Sequence, residues 1–138
     1  MSQIRHIRRL LIETYDGTPW HGRSIKSLLS EVSPEIGLKR PNGTSHSIAD
    51  LIWHMVNWRK FTIDRIKPSG ASLETFEQND WRELDLNNIS TWQDALNELE
   101  KCQHDLLELF DSLNDSMLKD PVPEREYNMK ILLYGLVQ

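Results

Sequence analysis

Apolar positions recur at helical spacing four times along this chain, and the strict alternation expected of strands is missing. The first stretch begins near Ser2 and places Ile4, Ile7, Leu11 and Tyr15 on one face. Gly17-Thr18-Pro19 interrupts it, with Thr18 as a candidate N-cap and Pro19 as a first helical residue. A second piece then runs to about Val32, with His21, Ile25, Leu28, Leu29 and Val32 together, and Ser33-Pro34 ends it. The next stretch covers Ser47 to Ile66, capped by Ser45 or Ser47, with Asp50 in the first turn and Lys67-Pro68-Ser69-Gly70 as the stop. Residues 68–90 read as a long acidic connection around Trp81, a length that usually has a functional reason.

The third stretch is the clearest. Ser90 or Thr91 caps it, and it runs to about Leu113. Trp92, Ala95, Leu96, Leu99, Gln103, Leu106, Phe110 and Leu113 form a narrow stripe opposite Glu98, Lys101, His104, Asp105 and Glu108. The fourth begins near Glu124 to Asn128 and carries Ile131, Leu132, Leu133, Tyr134, Leu136 and Val137. The chain stops at Gln138 inside that apolar pattern, so the last helix is expected to be short and reads as truncated. These elements predict an all-α fold, a four-helix up-down bundle, in one domain over residues 1–138.

Composition narrows the function. With 38% hydrophobic and 27% charged residues and a net charge of -5, the chain has the make-up of a soluble globular protein. An acidic balance argues against nucleic acid as a partner, which needs a basic face. No apolar run approaches the roughly 18 residues needed to span a bilayer, so no membrane partner is expected. A single cysteine, Cys102, excludes an internal disulfide. Together with an N-terminus lacking a hydrophobic signal region, it points to the cytoplasm.

Candidate chemistry concentrates on the helix over 47–66. Its wheel puts Ile48, Leu51, Ile52, Met55, Val56, Ile63 and Ile66 on one side and His54, Trp58 and Phe61 on the other, flanked by Asp50, Asn57 and Arg65. Such a helix is covered on both sides or borders a cavity, and His54 is then a ligand, a base or a satisfied structural histidine. His21 shares a face with apolar neighbours and either lines the same cavity or packs in the core. His46 reads as a capping residue, His104 as solvated and Cys102 as a small buried apolar group. Arg59 falls within the aliphatic stripe and needs to snorkel or find a carboxylate from the acidic connection, or else it marks an anion site. Trp20 and Trp58 are the tryptophans placed to wall a ligand pocket. Histidine spacing alone supplies no complete metal site, which takes three or four ligands.

Pro19-Trp20-His21-Gly22, then Ser47-Ile48-Ala49-Asp50-Leu51-Ile52-Trp53-His54-Met55-Val56-Asn57-Trp58-Arg59, resemble the DinB-like (YfiT-like) family. Ser90-Thr91-Trp92, the Trp81 connection and Leu132-Leu133-Tyr134-Gly135-Leu136-Val137-Gln138 also fit. The resemblance implies a four-helix bundle, often a homodimer, that binds a divalent metal, zinc or nickel, through three histidines. His54 matches the one on the second helix. The other two would follow Gln138, so the expected site is incomplete in this chain. The implied function is a metal-dependent enzyme of hydrolase or thiol-transferase type acting on a small-molecule substrate, with Trp20, His21, Asp50 and Trp58 lining the pocket. The alternative is a non-catalytic bundle acting through self-association or partner binding, because a short fourth helix leaves the stripe of the third uncovered.

Overall fold

Serine hydroxyls start most of the helices. In the computed structural model, which describes residues 2–17, 22–41 and 46–137, Ser2, Ser24, Ser33, Ser47 and Ser72 each accept a bond from the backbone N–H three residues on. Each satisfies an amide that the helix itself leaves unpaired. The elements are α1 (Gln3–Asp16), α2 (Ile25–Leu29), α3 (Pro34–Gly37), α4 (Ile48–Ile66), α5 (Leu73–Asp80), α6 (Ser90–Phe110), a 3₁₀ turn (Asp115–Lys119) and α7 (Met129–Gly135). The fold is all-α, as expected: the described residues contain no strand beyond one isolated bridge between Pro121 and Asn128.

The chain forms two compact units, residues 1–31 with 106–138, and residues 32–105. In the first, Ile4, Ile7, Leu11 and Tyr15 of α1 are buried, as are Leu106, Phe110, Leu118, Val122, Met129 and Leu133. Asp115 receives the backbone N–H groups of Gln3 (3.0 Å) and Ile4 (2.9 Å), so a carboxylate distant in sequence closes the N-terminus of α1. Those two bonds hold the Asp115 carboxyl below its ordinary value.

In the second unit α4 packs against α5, and its Arg59 and Lys60 side chains reach Gln103 and Glu98 of α6. The long connection of the sequence reading is corrected here: Ser72 caps a genuine helix, α5, within residues 68–90. Its sequence is polar apart from Leu73 and Phe76, so its order depends on the one aromatic it packs against α4. The helix expected from Pro19 to Val32 is also corrected. Gly22 sits at φ 141°, Ser24 caps only five residues, and Ser33-Pro34 opens α3 rather than merely ending its predecessor. Thr18, Pro19, Trp20 and His21 lie outside the described residues. The aliphatic face of α4 holds at Ile52 and Val56 but fails at Leu51, which is 47% exposed. Asn57, Arg59, Phe61, Thr62, Asp64 and Arg65 are buried, so α4 is covered on both sides. One partner of Arg59 is an amide: its Nε donates to Gln103 Oε1 at 3.1 Å. Further on, α6 ends at Phe110 and α7 begins at Met129 behind an Asn128 cap.

Gly37, the last residue of α3, leaves room for an indole. A Cβ there would collide with the ring of buried Trp92, meeting Cδ2 at 2.8 Å and Cε3 and Cζ3 closer still. A buried indole cannot swing away as a flexible chain end can. Gly37→Ala is therefore expected to lower stability by about 1–3 kcal/mol. Urea unfolding checks it, and a midpoint at or above the wild-type value would contradict the close approach.

Candidate functional site

The N-terminal half of α4 and the end of α5 meet in a stack of rings. Trp81, the residue that closes α5, lies between two imidazoles. Its indole is parallel to His54 (centroids 4.5 Å apart, 7° between planes) and nearly parallel to His46 (3.9 Å, 19°). Trp58, one turn beyond His54, presents an edge at 6.5 Å. Asp80, the last residue of α5, approaches His54 from the side, with Oδ1 2.5 Å from Nδ1. An ionised carboxylate can only accept, so Nδ1 is the donor in this contact and Nε2 lies on the other side of the ring. The His54 side chain is 39% exposed, whereas that of Asp80 is 15% exposed.

The aromatic interior positions this end of α5. Phe61 is fully buried and meets Trp58 (5.2 Å) and Phe76 (5.3 Å) edge-on. Asn57 Nδ2 donates to the Phe76 carbonyl at 2.7 Å. Arg65 lies over the Phe61 ring at 4.6 Å and donates to Asp64 (2.5 Å) and to the Ala71 carbonyl (3.0 Å). Asp64 also accepts from the Ser69 backbone (3.0 Å) and hydroxyl. This clasp ties down the turn between α4 and α5. At the far end Arg82 lies over the Trp53 ring at 4.4 Å.

Asp50 serves the helix terminus. Its Oδ2 accepts from the Ser47 backbone (2.7 Å) and hydroxyl (2.9 Å) and from Arg40 Nε (3.3 Å), while Ser47 Oγ receives the Asp50 N–H. Burial alone would raise the carboxyl, but the Ser47 bonds and the Arg40 guanidinium outweigh it and hold it below the ordinary carboxylate value. Trp58 stands beside His54, and Trp20 and His21 lie outside the described residues. His104 is exposed. Cys102 is buried, which pushes its thiol up and away from the reactive thiolate.

The sequence reading missed Asp80, and it treated His46 as a cap and Trp81 as part of a loop. Only the Ser72 cap signature hinted that a helix would deliver Asp80 to His54. Among the described residues no group of three or more His, Cys, Asp or Glu is disposed to hold a metal ion.

The sequence model of the DinB superfamily matches residues 20–136, most of the chain. The chain belongs to the DinB superfamily. Comparison with curated proteins and with solved structures gives no match. The match includes α4, α5 and the whole ring stack, so His54 and Asp80 belong to the DinB domain. No helix among the described residues of this DinB chain is long and apolar enough to cross a membrane.

Proposed function

We propose that this DinB-superfamily domain is a divalent-metal-dependent enzyme of hydrolase or thiol-transferase type, with His54 as a ligand through Nε2. The observation that carries the reading is the short Asp80–His54 contact on a partly exposed ring. An imidazole held by a carboxylate at Nδ1, with Nε2 left open, is the usual arrangement of a metal-binding histidine. The donor set fits a metal at this one position. The described residues do not complete the shell, so the remaining donors have to come from His21, from a second copy of the chain or from histidines of a longer polypeptide. Zinc or nickel suits imidazole donors. The bound ion would supply Lewis acidity and bring a bound water or thiol towards ionisation near neutral pH. Trp58 and Trp81 keep one side of the ring apolar, and Asp80 keeps it from rotating.

Metal titration of the purified protein against His54→Ala tests this. Stoichiometric zinc or nickel that disappears in the variant is expected. Metal retained in the variant removes His54 from the site. No metal in either protein favours the alternative, a non-catalytic bundle that works by association.

A further inference from the structure

Beside the ring stack the second unit carries a groove of about 380 Å³ that the metal reading does not use. Its described walls are Ile36, Lys39, Pro41, His46, Ile48 and Leu51, with Ser47 at the base. This volume falls within the range of small-molecule sites, roughly 300–1,000 Å³. Two of its aliphatic side chains are unusually open, Ile36 at 60% and Leu51 at 47% exposure. Leu51 lies on a face of α4 that the sequence pattern assigns to the core, so its exposure leaves apolar surface uncovered along one wall.

The polar rim has one sign. Lys39 supplies a cation and His46 an imidazole, and no carboxylate lines the groove among the described residues. Of the two acids next to lining residues in sequence, Asp50 is buried and bonded to Ser47 and Arg40, and Glu35 is exposed outside the lining. One cation beside an aliphatic trough complements a monoanion with an apolar body. A phosphate dianion would call for more positive charge than one lysine supplies.

We propose that this groove binds a small organic carboxylate with an aliphatic or aromatic body. The carboxylate sits at Lys39 and the His46 ring, and the body lies along Ile36, Ile48 and Leu51. His46 also stacks on Trp81, whose other face holds His54. A ligand in the groove therefore borders the candidate site without touching His54. The assignment stands or falls independently of the metal.

Octanoate (below its micelle threshold) and 4-phenylbutyrate are the probes, with octanol as the uncharged counterpart. Binding is read by tryptophan fluorescence and by backbone amide shifts in residues 36–51. Saturable binding of both acids is expected, with Leu51→Glu abolishing it and Lys39→Met weakening it about fivefold. Both positions are exposed, so both variants should fold, which thermal unfolding checks. Neither variant is expected to change metal content, which separates this proposal from the metal reading. Three results overturn the proposal. One is the absence of saturable binding. Another is octanol binding as tightly as octanoate with Lys39→Met silent. The third is a wild-type dimer that Leu51→Glu dissociates, which would make the groove a subunit interface.

Discussion

Phe61→Ala is expected to cost about 3–5 kcal/mol, the range for removing a fully buried aromatic ring. That is a large share of the roughly 5–15 kcal/mol that holds a domain together. Phe61 is fully buried, and the ring is met edge-on by Trp58 and Phe76 and covered by the Arg65 guanidinium. Truncation leaves a cavity that these neighbours cannot all collapse into, because Phe76 and Arg65 are held elsewhere. Asn57 fixes the Phe76 backbone, and Asp64 and the Ala71 carbonyl fix Arg65. Phe61→Leu keeps most of the volume and is expected to cost under about 1.5 kcal/mol. Calorimetry should show the difference, with a midpoint lowered by roughly 10–15 °C in the alanine variant. Hydrogen exchange should also quicken first over residues 73–80, since Phe76 is the main anchor of α5. A loss below about 1 kcal/mol would mean that the aromatic interior is not what holds α5 in place.

Asp80→Ala is expected to weaken metal binding 10- to 100-fold while leaving His54 itself in place. Asp80 is a positioning residue: it touches Nδ1 and acts on the ion only through the ring. Its loss frees the imidazole to exchange tautomers, so the Nε2 lone pair is no longer always presented. The ¹⁵N shifts of the His54 ring report this directly. They should show the Nδ1–H form in the wild type and a mixture in the variant. A merely structural Asp80 would lower the unfolding midpoint and leave the tautomer unchanged, and that result would rule out the positioning role.

The Ser47 start, the acidic first-turn partner at Asp50 and the end near Lys67 are written in local chemistry, and α4 follows them. So does the stripe of α6 through Trp92, Ala95, Leu99, Leu106 and Phe110. His54 stood out because an imidazole and two aromatics on one helix face need a reason. Leu51 was misread because periodicity finds an apolar side but cannot say what lies against it. The α5 helix was hidden because eight residues with one half-buried aromatic anchor carry too weak a period to separate from a loop.

By itself, then, the sequence determined an all-α chain of the DinB superfamily, the course of its two long helices and the prominence of His54. Caps, periodicity and family motifs act over a few residues and survive without knowledge of what packs where. The tertiary structure alone decided that Asp80 faces His54, that Trp81 lies between two histidines and that Asp115 closes α1. These pairs are 26, 35 and more than 100 residues apart, counting Trp81 from His46. The first two meet because Phe61 and Phe76 hold α5 on α4, and the third because the 3₁₀ turn that carries Asp115 reaches the start of α1.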